Sequence, residues 1–252
     1  IDPALATGWE VSRNGLEYRF DLRPDVRFQG RGDFQPSRAL TADDVLFSFE
    51  RQWREDHPYF GYAGGDWPYF NGMSMPAILR DIRKEDDHTI VFVLNQPGAP
   101  LLSYLAMDFA SILSKEYADY LLAEGAPERL DSEPVGTGPF RLAGEGNGRI
   151  RYAANPDYWG EVAPIDDLVF EPTPDASVRM AKLRAGDCDV IKAPAPRDIT
   201  ALPADAPVTV LTRPGANVSV LAFNALQPPF DRAEVRQAVA KAIDRQAIVA
   251  NT

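Results

Sequence analysis

The clearest periodicity in the chain comes early. Leu16, Tyr18, Phe20 and Leu22 alternate with Glu17, Arg19, Asp21 and Arg23, a period of two that predicts a half-buried strand. Asn14-Gly15 just ahead of it is a strong hairpin signal and predicts pairing with residues 9–11. The period then changes. Thr41, with Asp44 three residues on, predicts a helix start of the capping-box kind, Asp standing in for Glu. Val45, Phe49 and Trp53 follow four apart, so this helix turns an apolar face inward and reads as core rather than as a site. Two strands flank Asp86-Asp87, helices are expected over 100–106 and 115–124, and Gly125 is well placed to end the second.

From residue 134 onward strand and helix patterns alternate. Strands are expected at 140–142, 149–153, 168–171, 189–192, 208–212 and 218–223, with helices at 176–185 and 197–202 among them. A last helix is expected from Asp231, with Glu234 completing a second capping box. Such alternation predicts an α/β region with crossover connections over residues 134–252. It follows an α+β region over residues 1–133, where helices are appended to hairpins.

Residues 57–76 break every period. They hold three tyrosines, two phenylalanines, a tryptophan and four glycines, with few charges. Long irregular loops are uncommon inside a domain and are often functional. Rigid rings on a glycine-shaped backbone suit a small-molecule pocket, so Trp67 and Tyr69, with Gly64 and Gly65 shaping the chain, are candidate ligand-binding residues. A loop packed over its own domain is the alternative. Gly136-Thr137-Gly138 resembles a phosphate cradle, but Pro139 removes a donor, no helix opens there and no Lys is near. It is expected to be structural.

The formal charge of −11, from 26 basic and 37 acidic residues, argues against nucleic acid or an anionic membrane as partner and fits a monomer. One cysteine and two histidines cannot make a zinc centre at any recognised spacing, so no metal and no cofactor are expected. Nucleophilic catalysis would have to use His57 or His88, both in loops. The doublets Asp43-Asp44, Asp86-Asp87 and Asp166-Asp167 leave a secreted carboxylate-dependent hydrolase, such as a glycosidase, as the alternative function. Each doublet sits at a helix start or turn, where carboxylates cap and solvate.

Six segments in one order carry a resemblance: GWEVSRNGLEYRFDLRPDVRF, LTADDVLFSFER, VGTGPFRL, NPDYWG, DASVRMAKLRAGDCDV and NALQPPFDRAEVRQAVAKAIDR. Together they resemble the family 5 extracellular solute-binding proteins of bacterial ABC transporters, and AMDFASILSKEYAD makes the chain most similar to the dipeptide-binding members. The resemblance implies a periplasmic receptor that is no enzyme, captures dipeptides or short oligopeptides and delivers them to a membrane permease. Receptors of the same family for haem, nickel or sugars remain alternatives. The implied fold is α/β, periplasmic-binding-protein type II-like: a first lobe (mixed sheet with flanking helices) plus its appended α+β subdomain. The chain is expected to be a first-lobe piece. The charged anchors for a dipeptide's termini would then lie in the second lobe. Within the receptor reading, Asn224, after the strand at 218–223, is a further candidate, because a strand-end amide can pair with an extended peptide. Cys188 is implied to be half of a disulfide whose other half precedes this chain.

Overall fold

The computed structural model describes residues 1–62, 64–203, 205–213 and 220–251. They fall into two compact units, Ile1–Glu171 and Pro172–Thr252. In chain order the first unit runs β1 (Ala6–Val11), β2 (Glu17–Leu22), α1 (Ala42–Trp53), α2 (Pro68–Gly72), α3 (Met75–Ile78), β3 (Leu79–Asp86) and β4 (Thr89–Leu94). It continues through α4 (Leu101–Leu105), a single 3-10 turn (Asp108–Ala110), α5 (Lys115–Ala123), α6 (Arg129–Ser132), β5 (Phe140–Gly146), β6 (Arg149–Ala154) and β7 (Asp167–Phe170).

Two hairpins build the main sheet. β1 and β2 pair as expected, Trp9 opposite Phe20 and Val11 opposite Tyr18. Gly15 in their turn has φ 69°, a conformation glycine adopts without a Cβ penalty. β3 and β4 form the second hairpin, and β4 inserts beside β2 to give the antiparallel order β1-β2-β4-β3. Every residue of β4 is buried, Thr89 as well as the apolar run Ile90–Leu94 that follows it. α1 lies against this sheet. Phe49 meets Phe92 edge-on at 5.0 Å, and Phe92 meets Phe20 edge-on at 5.6 Å, so three rings run from helix through sheet.

The start of α1 holds a buried charge. Asp44 is fully closed to water. Its carboxylate accepts from Arg38 Nη1 and Nη2 at 2.6 and 2.9 Å, and from the backbone N–H groups of Thr41 and Lys115 at 2.9 Å each. Four charge-assisted bonds satisfy both oxygens, which is the condition for burying a carboxylate. Neighbouring Asp43 instead meets Lys84 at 2.8 Å near the surface.

The Gly-Thr-Gly turn is stitched into the unit from both sides. The Gln29 N–H donates to the Gly136 carbonyl at 3.0 Å, and its side-chain amide to the carbonyls of Gly138 and Phe140 at 3.2 and 3.0 Å. Asn155 donates to the carbonyls of Gly138 and Pro139 at 2.9 and 2.8 Å. The turn offers carbonyls to protein donors, which is a structural task and the opposite of a phosphate cradle.

The second unit contains α7 (Ala176–Ala185), α8 (Pro196–Thr200), α9 (Ala233–Ala242) and α10 (Arg245–Asn251). Asp175 caps α7 by accepting from the N–H groups of Ser177 and Val178, and Gly186 closes it with φ 78°. Several expectations fail here. The strands expected at 189–192 and 208–212 are absent. At 218–223, Val218 and Ser219 lie outside the described residues and the remainder is not a strand. α9 begins at Ala233 without a side-chain cap, in place of the capping box at Asp231. The crossover connections are not seen either, because β5, β6 and β7 form an antiparallel sheet. Apolar β-branched stretches become strands only when a neighbour accepts their backbone bonds. Among the described residues nothing pairs with these segments, and Leu211 and Val220 stay 91% and 80% exposed.

The aspartate pair gives a direct test. Asp44→Asn leaves Arg38 facing a neutral amide and should destabilise the first unit by about 3 kcal/mol in urea unfolding. Asp43→Asn, removing a solvent-exposed ion pair, should change stability by less than about 1 kcal/mol.

Candidate functional site

The aromatic loop is more ordered than its sequence suggests. Gly64 and Gly65 take φ 83° and 68°, a left-handed pair that lets the chain reverse before Asp66. Pro68 then opens α2 and Pro76 lies in the first turn of α3, where a missing N–H costs nothing. Within α2 Phe70 is fully buried and stands edge-on to Phe109, ring centroids 6.0 Å apart.

Trp67 and Tyr69 share a cleft of about 270 Å³, with Arg51, Gln52, Asp108, Phe109, Asp131 and Pro134 in its lining. Tyr69 stands at its mouth, 68% exposed, whereas Trp67 is buried. The guanidinium of Arg51 stacks over the Trp67 ring at 4.8 Å and donates through Nη1 to Asp131 at 2.9 Å. Gln52 donates to the carbonyls of Ser48 and Phe109 at 2.9 Å each, and the Leu113 N–H donates to the Ser48 hydroxyl at 2.9 Å. The polar side of α1 thus clips the 108–113 segment to the back of the cleft. Sequence reasoning missed Arg51 and Gln52. An arginine and a glutamine late in a helix read as solvent-facing, so the sequence carried no signal for them.

Gly64 and Gly65 shape the loop and are not in the lining. Asn224 lies in the second unit, at a turn rather than a strand end. Its Oδ1 accepts from the Leu226 N–H at 3.1 Å and its carbonyl from the Gln227 N–H at 3.2 Å. Cys188 is a half-buried free thiol.

Asp43-Asp44 and Asp86-Asp87 are engaged in a cap, a turn and ion pairs, while Asp167 opens β7 and the Asp166 carbonyl accepts from the Ala154 N–H at 2.7 Å. Asp86 accepts from the His88 N–H and the Thr89 hydroxyl, which holds its carboxyl below the usual range, and Asp87 pairs with Lys84 at 2.7 Å. Among the described residues no three His, Cys, Asp or Glu side chains gather as a metal site would require. His57 packs on Phe47 at 5.5 Å, and its Nδ1 accepts from the Tyr59 N–H at 3.1 Å. The Tyr59 hydroxyl donates to the Ala118 carbonyl at 2.6 Å, and burial pushes its pKa up to about 12.

With this geometry in hand, the chain can be set beside known proteins. The fold is that of the type II-like periplasmic binding proteins. The model for bacterial extracellular solute-binding proteins, family 5 (middle), matches residues 1–252, and the chain belongs to that family. It is 48% identical over 250 residues to the dipeptide-binding protein of Escherichia coli (strain K12), covering 99% of this chain and 47% of the relative. It is 46% identical to heme-binding protein A of Haemophilus influenzae, covering 99% and 46%. The crystal structure of the dipeptide binding protein from Pseudoalteromonas sp. SM9913 in complex with Met-Leu superposes with a TM-score of 0.87 at 35% identity, over 98% of this chain and 50% of that one. The chain thus spans about half the length of these relatives. The family is one of substrate-binding proteins, not enzymes, found outside the cytoplasmic membrane.

His57 sets a pH dependence. Burial above all, then the charge of Arg51, lowers its pKa, while Asp56 and Asp119 oppose and Lys115 adds to the lowering. The native state therefore binds its proton less readily than the unfolded chain. Its contribution to stability is fully present above about pH 6.5 and is lost as pH falls toward the depressed value. The urea midpoint should fall between about pH 7.5 and about 5.5, and fall less in His57→Gln; equal declines would exclude this residue as the cause.

Proposed function

We propose that the protein containing this chain is the substrate-binding component of an ABC importer, capturing dipeptides or short oligopeptides in the periplasm and handing them to the membrane permease. The observation that carries this reading is the 48% identity to a dipeptide-binding protein along nearly the whole chain. The Met-Leu complex of a protein with the same fold supports it. In this reading Trp67 and Tyr69 form a first-lobe wall against which the ligand is held, and the charged partners of its termini come from the rest of the protein. Residues 1–133 and 134–252 act as the appended subdomain and the incomplete core of that lobe, and the whole protein works as a monomer. The 46% identity to a heme-binding protein gives haem as a competing ligand.

Calorimetry on the whole protein with dipeptide in one arm and haem in the other separates the two. Saturable heat with dipeptide is expected. Trp67→Ala should weaken that binding by about 1–3 kcal/mol, the range for a large buried side chain. Residues 1–252 alone should show no dipeptide binding at micromolar concentration. One wall leaves the ligand half solvated, and several kcal/mol of lost translational and rotational freedom go uncompensated.

A further inference from the structure

Two buried donors in one wall of the cleft have no acceptor. Trp67 is 9% exposed as a residue and the Arg51 side chain 10%, so both are about nine-tenths withdrawn from water. The indole Nε1–H and the guanidinium Nε–H are both without a hydrogen-bond partner. Such donors carry the full desolvation penalty of the group, and native structures rarely keep one without a reason. The contrast with Gln52 is sharp. Its amide lies in the same wall and is satisfied by two carbonyls. The other unpartnered atoms, in Thr41, Tyr117, Trp159 and Asp198, do not line this cleft.

The charges decide what the cleft would accept. Its lining has one cation, Arg51, already paired with Asp131, and a second carboxylate, Asp108. A free carboxylate would enter against a net negative field, whereas a neutral carbonyl oxygen would not. The volume of about 270 Å³ is below the range of a complete ligand site and suits one group of a larger ligand. We infer that the cleft is a subsite for an amide carbonyl of the bound peptide, with the Trp67 indole N–H as donor and Arg51 holding the indole in place. This rests on the peptide-binding reading above. Both N–H groups are closed to water in residues that line the cleft, so the short α2 turn carrying exposed Tyr69 must give way when the carbonyl enters.

The test uses the whole protein, labelled with 15N at its indoles, and two dipeptides, Ala-Leu and Ala-Gln. Trp67→Phe keeps a ring for Arg51 to stack on, removes the N–H and identifies the Trp67 resonance. On saturation with peptide that resonance should move downfield, and Trp67→Phe should bind about 3- to 10-fold more weakly at unchanged melting temperature. Equal losses for both peptides assign the backbone carbonyl; a loss for Ala-Gln alone assigns the side-chain amide. A bound peptide that leaves the resonance and the affinity unmoved overturns the subsite. So does a resonance already downfield without peptide and indifferent to it, which would mean that a bound water satisfies the donor. If the unaltered protein binds neither peptide, the peptide reading itself has failed and the subsite falls with it. Should Trp67→Phe fail to fold, the indole resonance is assigned in the unaltered protein from its proximity to the Arg51 side chain, and its shift with peptide still decides.

Discussion

The carboxylate of Asp44, held out of water by four donors, ties three segments of the first unit to one point: the loop carrying Arg38, the first turn of α1 and the first turn of α5. A buried charge tolerates little positional slack, because each lost bond leaves an oxygen unsatisfied in a medium that screens poorly. The start of α1 is therefore fixed more tightly than an ordinary cap would fix it. Seven residues is close to two helical turns, so Arg51 emerges on the same face as Asp44. That places its guanidinium against Trp67 and Asp131. The buried ion pair at one end of the helix and the cleft wall at the other are parts of one rigid rod.

The cleft wall follows from how that helix is dressed. Val45 and Phe49 face the sheet, while Ser48, Arg51 and Gln52 are buried polar side chains. Each of the three bonds to a segment distant in sequence: the 108–113 stretch for Ser48 and Gln52, α6 for Arg51. A helix buried this far round cannot use apolar contacts alone, since its neighbours include irregular backbone with carbonyls to satisfy.

Local chemistry explains what was legible in the sequence. The β1–β2 hairpin, α1, the β3–β4 hairpin, α5 and α7 each carry their own turn, cap or period, so their residues specify them without reference to anything distant. The aromatic loop was legible as a ligand-site candidate but not as helix, because α2 and α3 are too short to show a period; Pro68 and Pro76 were the readable sign. Arg51 was not legible, since an arginine late in a helix usually points to solvent. The strands expected in the second unit failed for another reason. Sequences such as residues 208–212 state a preference for extended backbone, but a strand is a relation between two segments, and preference alone does not supply the second. Met180 is the one apolar side chain of that unit found buried among the described residues.

The Gln29 stitches also impose an order in time. They join positions 109 and 111 residues apart in the chain, and bringing such distant points together costs several kcal/mol of loop entropy before any bond is gained, about 4 on a logarithmic scaling. The two hairpins of the main sheet close over far shorter spans and can assemble first. On this scaling the two hairpins are expected to form before the Gly-Thr-Gly turn docks. The β2–β4 pairing that joins them spans about 70 residues and costs nearly as much as the Gln29 closure. During synthesis the first 130 or so residues can gather their core while the segment that completes the unit is still being made. For that interval the Gln29 N–H lacks the Gly136 carbonyl it meets in the folded unit.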